Sequence, residues 1–393
     1  MNLPKVLHLV ESWRPVLNGY TSRGWRAVVT QRELGIAQPS VWVASTQEVH
    51  GRDEVEQPDG IPVSLSRCSP REKVLRCLHA PYFDGGAAEI SIREAAKGVD
   101  VLHVHRSGTL GKIAVKVGRA LDIPVVGEVR SDLAGGIISE SKLRGKGANF
   151  VKYLRAYLES YLEDCDGVVA ASYSLGEMLE SEFPKLNGRV TVVPNGVDGS
   201  SDDSTAGRDS SVRKNLNISP FDFVVGTTSK MYRYEGLTQL IDVCDEIPEM
   251  TLLLVGDGKE MANLRERARG RNVIFAGRVA PNEVQDYIKA MDVFAVPRIR
   301  AAITEFASPI KVVEAFTAGT PVIGSAVGDM PYLLGEGRGV LFPPGDSKAL
   351  VAAIQHARTH PPEVLAAKGW VMENLNWPTM VERYGNVYRE VLS

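Results

Sequence analysis

The sequence predicts an α/β protein built as two doubly wound lobes, and three observations predict it. Short apolar runs alternate with amphipathic stretches from Lys5 to Val193, the rhythm of βαβ units in a parallel sheet. A second series of the same kind opens at Phe223-Val224-Val225-Gly226. Between the two lies Gly199 to Ser211, polar and low in complexity, as a flexible segment is. The 393 residues are enough for two cores. This sets a first lobe at 1–198, a linker at 199–215, a second lobe at 216–376 and an amphipathic terminal helix at about 377–393.

Composition excludes several classes. Hydrophobic residues at 44% and charged residues at 24% are ordinary for a globular chain. A net charge of −3 argues against a nucleic-acid partner. The four cysteines, Cys68, Cys77, Cys165 and Cys244, have no ligand spacing and read as free thiols of a reducing compartment. Lys5 to Val10 reads as a buried strand rather than a leader, and no apolar run approaches the roughly 20 residues of a membrane helix. A cytoplasmic chain is expected, with at most peripheral contact at the inner face of the membrane.

The first half opens with strand Lys5–Val10, a loop to Gly19, a helix from about Tyr20 to Leu34 and strand Val41–Ala44. Gly19, at a helix start, lets the backbone approach a ligand closely. Val101 to His105 is an alternating strand with His103 and His105 on one face. Such a pair suits a metal, but no third ligand presents itself and none is expected to bind. His105 sits at the carboxyl end of its strand, where ligands of open α/β sheets bind. Ile123 to Arg130 is the next strand, and Glu128 and Arg130 share a face on which they can pair. Ser131 to Asn149 is glycine-rich and carries Lys142, Arg144 and Lys146. Three cations are too few for firm membrane attachment, so a solvated loop is expected. Phe150, Leu154, Tyr157, Tyr161 and Cys165 fall at helical spacing and predict a core stripe.

In the second half, Thr251–Val255, Asn272–Ala276 and Val293–Val296 are strands. The last leads into the most informative stretch, 296–323. A polar loop with Arg298 and Arg300 follows Pro297. Ser308 is placed to cap a helix, with Pro309 in its first turn, and Gly319 stops it. Lys311 and Glu314 share one face near the helix start. That end carries partial positive charge and unpaired N–H groups. Two arginines, a lysine and a carboxylate at a strand-to-helix crevice suit a nucleoside diphosphate, the cations meeting phosphate and the carboxylate meeting ribose.

Thr304-Glu305, Ser308-Pro309-Ile310-Lys311 and Glu314-Ala315 resemble the donor site of retaining glycosyltransferases of family 4, and specifically a Pro-x-Lys-x-x-Glu subset common in bacterial exopolysaccharide clusters. The resemblance extends to Asn18-Gly19-Tyr20-Thr21-Ser22-Arg23 and to Pro194-Asn195-Gly196-Val197-Asp198, and so covers nearly the full chain. It implies the GT-B fold, with two Rossmann-like lobes facing across a cleft and the terminal helix packing back on the first.

It further implies that Asn18, Gly19 and Tyr20 face donor and acceptor, that His105 meets the transferred sugar, and that Glu128 and Arg130 lie near the acceptor. Glu314 would bind ribose, and Ser308, Pro309, Arg278 and Val279 would border the donor. Two departures stand out. The family's other carboxylate falls at Phe306, with Glu305 one residue off. Where the family has a diphosphate-binding arginine and lysine, this chain has Lys230 and Glu235. Glu235 is expected to point away, with Lys311, Arg298 or Arg300 replacing the missing lysine.

The resemblance implies transfer of a sugar from a nucleoside-diphosphate donor to a hydroxyl acceptor, with retention and without metal or cofactor. The acceptor would be a saccharide, a lipid-linked saccharide or a small molecule. Two alternatives share the architecture: a non-hydrolysing sugar-nucleotide epimerase and a non-catalytic nucleotide-sugar-binding homologue.

Overall fold

The computed structural model describes residues 3–16, 19–44, 55–58, 60–66, 85–105, 108–140, 148–198 and 210–393. Asn18, Cys68, Cys77, the cations Lys142, Arg144 and Lys146, and linker residues 199–209 lie outside these. The chain divides into two compact units, residues 1–196 with 377–393 and residues 197–376.

The first unit is a seven-stranded parallel sheet in the order β3-β2-β1-β4-β5-β6-β7. Its strands are β1 (Lys5–Val10), β2 (Gln38–Val43), β3 (Val63–Leu65), β4 (Val101–Val104), β5 (Val125–Val129), β6 (Gly167–Ala170) and β7 (Val190–Val192). β1, β4 and β5 are buried along nearly their whole length, as all-parallel strands covered on both faces must be. The first crossover helix, α1, spans Gly19–Glu33 and the β4–β5 crossover, α2, spans Thr109–Leu121. Two further helices, α3 (Leu133–Glu140) and α4 (Ala148–Glu159), follow β5.

The second unit is a six-stranded parallel sheet in the order β10-β9-β8-β11-β12-β13. It comprises β8 (Phe223–Thr228), β9 (Met250–Val255), β10 (Val273–Gly277), β11 (Val293–Val296), β12 (Val322–Ser325) and β13 (Val340–Phe342). Its helix α5, Ile310–Ala318, follows β11 and ends at Gly319, whose left-handed backbone (φ 76°) closes the helix. A last helix, α6 (Trp377–Val391), returns to the first unit and buries Trp377, Met380, Tyr384 and Tyr388 there. No helix among the described residues is long and apolar enough to cross a membrane.

Several sequence expectations change. Residues 210–215, assigned to the linker, form a short helix because Arg213 is buried and pairs with Asp292 at 2.9 Å. Part of the loop expected at 131–149 is α3. Ser308 makes no cap. Pro309 occupies the cap position of α5, and no side chain bonds the first turn.

The predicted core stripe divides. Tyr161 and Cys165 are buried, but Phe150 is 38% and Tyr157 63% exposed. α4 ends at Glu159 and a tight 3₁₀ turn, Ser160–Asp164, follows, so the 3.6-residue period does not continue through it. The face α4 buries carries instead Arg155, paired with Asp132 at 2.7 Å and Glu182 at 2.5 Å.

Candidate functional site

Each unit gathers polar side chains at the carboxyl end of its sheet. In the second, the loop after β11 brings Arg298 against the turn after β8. Gly236 makes this approach possible. It has φ 70°, and a Cβ there would collide with the Pro297 carbonyl. The residue before it, Glu235, is thereby turned inward. Lys311, in the first turn of α5, donates to Glu235 Oε2 at 2.7 Å and to Ser229 Oγ at 3.0 Å. Arg298 lies 3.4 Å from the same carboxylate and reaches the Ala307 carbonyl.

This corrects the expectation for Glu235, which points into the cation cluster. The reversed charge is answered locally, with the lysine arriving from α5. Burial pushes the Glu235 carboxyl up, but Lys311 and Arg298 outweigh it and hold it at about 2. Burial lowers the Lys311 ammonium, and Glu235 opposes that. Glu314 is half-buried one turn further along α5. Burial raises its carboxyl, opposed by Lys311.

The remaining candidates of this unit spread around the cluster. Arg300 is exposed and pairs with Glu305 at 2.5 Å, while Glu305 Oε2 also accepts from the Gly328 amide at 3.4 Å. Glu305 is therefore held by neighbours of its own. Phe306 and Ser308 are half-buried and Pro309 buried in the link to α5. Lys230 and Arg278 are exposed, and Val279 is half-buried, just beyond β10.

In the first unit the hub is Glu128, fully buried at the end of β5. Its Oε1 accepts from Arg23 Nε at 2.9 Å, Arg130 Nε at 3.1 Å and the Tyr384 hydroxyl at 3.1 Å. Burial alone raises this carboxyl; Arg130, Arg23 and His105 outweigh it and hold it well below the usual carboxylate range. Arg130 also donates to the Tyr20 carbonyl at 2.8 Å, tying the start of α1 to this cluster. Gly19 is the first residue of that helix, and the Tyr20 hydroxyl meets Ser131 Oγ. Arg23 and Tyr384, which the sequence did not mark as site residues, carry much of the network. Arg23 also bonds Asn195, the Val193 carbonyl and Tyr384.

A third histidine, His8, corrects the reading that the His103–His105 pair has no partner. β1 pairs with β4 in parallel with His8 opposite His103, and the three rings are buried with ligand atoms within 4.8 Å of one another. His8 Nδ1 lies 2.8 Å from His105 Nε2, and His103 Nδ1 2.7 Å from the Tyr388 hydroxyl. Burial lowers all three below the ordinary histidine value, and Glu128 opposes that.

The His103 and His105 rings stack at 4.0 Å, and Arg23 and Arg130 adjoin the Glu128 carboxylate beside them. Arg130 Nη2 and Glu128 Oε2 each lie 2.6 Å from His105 Nδ1, so the ring proton decides which of them it bonds.

Comparisons with known proteins give this geometry its class. The fold is that of GT-B glycosyltransferases. Sucrose-phosphate synthase of Thermosynechococcus elongatus superposes with a TM-score of 0.73 at 19% identity, over 98% of each chain. Anabaena HepE, solved with UDP, superposes at 0.70 and 20% identity, over 97% of this chain and 98% of that one. In sequence, residues 38–200 match the model of Glycosyltransferase Family 4 and residues 222–360 that of Glycosyl transferases group 1. The chain belongs to this glycosyltransferase family. Among its relatives is the alpha-monoglucosyldiacylglycerol synthase of Streptococcus pneumoniae, 26% identical over 281 residues. That match takes in 66% of this chain and 60% of the relative's length.

Proposed function

We propose that the protein transfers a sugar from a nucleoside-diphosphate donor to a hydroxyl acceptor, with retention at the anomeric carbon. The observation that carries this reading is the Lys311–Glu235–Arg298 cluster at the start of α5, with Glu314 one turn beyond. Lys311 and Arg298 are cations held in fixed positions by a buried carboxylate. Such preorganised charge stabilises a leaving diphosphate without rearrangement during the reaction. The N-terminal amides of α5 add partial positive charge to the same place. Glu314 is positioned to accept from ribose hydroxyls. In this reading Lys230, exposed at the end of β8, supplies the second phosphate contact, and His105 and Arg130 serve the sugar and acceptor.

Family membership supports the transferase class, and the UDP carried by HepE supports a nucleoside-diphosphate donor. The S. pneumoniae relative, by its name, makes a glycolipid, which favours a lipid-borne hydroxyl as acceptor.

The test is thermal stabilisation by UDP, GDP, ADP and TDP and by their sugars. A donor at 100 times its dissociation constant adds about 2.7 kcal/mol, a readable rise in Tm. One responding base, lost in Lys311→Ala, is the expected result. No response to any base, or full donor turnover by Lys311→Ala, overturns the reading.

A further inference from the structure

The aromatic stripe that the sequence assigns to the core lies on the surface instead. Along α4, Phe150, Tyr153 and Tyr157 stand at i, i+3 and i+7, on one face, and Tyr153 and Tyr157 are 71% and 63% exposed. Exposed large side chains in a contiguous row mark an interaction surface rather than ordinary surface scatter. Cations surround the row. Lys152 is exposed on the same helix, and the Lys112 ammonium sits 4.0 Å from the centre of the Tyr157 ring. Lys112 also lines a cavity of about 690 Å³ between α2 and the turn that ends α4, together with Lys116, Arg119 and Lys185. The acidic residues of that lining are Glu163 and Asp164, so cations outnumber acids there although the whole chain is net negative. Arg119 and Lys185 pair with those two acids and Lys116 with Glu89; the three cations are 64–72% exposed, while Glu89 and Glu163 are only 19% and 25% exposed, so Lys112 and Lys152 carry most of the charge this face offers.

We propose that this face of the first unit docks on an anionic phospholipid bilayer. The tyrosines and Phe150 would enter the headgroup region, and Lys112, Lys116 and Lys152 would meet lipid phosphates. Tyrosine favours that depth because its ring is apolar and its hydroxyl keeps water. Aromatic insertion and basic attraction together supply the two signals that stable peripheral binding needs. The same charges disfavour a second copy of this chain as the occupant. A two-fold contact would press this basic face against itself.

The position of the face matters for function. The Leu158 carbonyl, at the end of α4, accepts from the Gly108 amide at 3.0 Å, three residues beyond His105. The bilayer would therefore lie beside the carboxyl end of β4. Where the transferase reading holds, a lipid-borne acceptor would be presented to the unit that carries His105, but docking itself does not depend on that reading.

Vesicle flotation of the full chain tests this. Strong binding to equimolar phosphatidylglycerol–phosphatidylcholine vesicles is expected, with little to pure phosphatidylcholine and a steep loss as salt rises. Tyr153→Ser with Tyr157→Ser, and separately Lys112→Glu with Lys152→Glu, should each cut the bound fraction about tenfold at unchanged Tm. Hydrogen exchange of 148–159 in the unaltered protein should slow when the anionic vesicles are added, which keeps the test valid should a variant misfold.

Equal binding to both vesicle types, or none, overturns the proposal. So does a dimer that Tyr153→Ser dissociates, which assigns the face to a second copy. Slowed exchange with inorganic phosphate alone, without flotation, reduces the cavity to a soluble-anion site and also overturns it. The donor-induced Tm shift should be the same in the tyrosine variants, so a failure of docking is distinguishable from a failure of the transferase reading.

Discussion

At the scale of single residues, the decisive feature is the exchange of charge between Glu235 and Lys311. A carboxylate stands where the family resemblance leads one to expect a phosphate-binding cation, and alone it would repel a diphosphate. The structure sets Lys311 of α5 2.7 Å from that carboxylate. Truncating one partner of a buried pair leaves the other uncompensated, at a cost of about 3–5 kcal/mol. Lys311→Ala should therefore weaken protection of β8 and β11 in urea-dependent hydrogen exchange. Adding Glu235→Gln should recover part of the loss, and no recovery would mean the pair is not coupled.

The sign of the pH effect follows from Glu235. Its folded value, about 2, lies below the ordinary 4.5. Its stabilising contribution is fully present above about 4.5 and is lost as pH falls toward 2. Acid unfolding followed by tryptophan fluorescence should lose less stability across that window in Glu235→Gln than in the unaltered protein. The Glu128–Arg130 pair was legible from spacing alone, since i and i+2 on a strand share a face. His8 was not, because it lies on β1, and only the sheet order sets that strand beside β4.

At the scale of elements, α6 is bound into the first unit by polar contacts as well as apolar ones. Tyr384 bonds Glu128 and Arg23, Tyr388 bonds His103, and Arg383 reaches the Val192 carbonyl at 3.0 Å. Tyr384→Phe removes one hydroxyl from this buried network and should cost about 1–3 kcal/mol in urea unfolding. A change below a few tenths would show that the network re-forms without it. The periodicity of α6 was readable because its buried face is continuous. That of α4 misled because a helix and a 3₁₀ turn shared one apparent stripe, and because aromatic residues serve a surface as well as a core.

At the scale of the molecule, the chain leaves the first unit near Gly196 and returns to it at Trp377. The last seventeen residues therefore belong to the first unit's core. Deleting 377–393 should raise hydrogen exchange throughout β4, β5 and β6 while leaving β8, β9 and β11 protected. Equal loss in both units would contradict this division.

The alternation of apolar runs, the polar segment between the two series and the strand-to-helix stretch at 296–323 by themselves determined the fold class and the region of the candidate site. These are local patterns, and local patterns report on secondary structure and on neighbours in sequence. Tertiary structure decided which charges meet. Glu235 and Lys311 are 76 residues apart, and His8 and His105 are 97 apart. No periodicity links such pairs. They meet because parallel sheets order their strands by crossover connections and bring every carboxyl end to one edge. Tertiary structure also decided that the aromatics of α4 face water, since burial depends on what packs against a helix and not only on its own sequence.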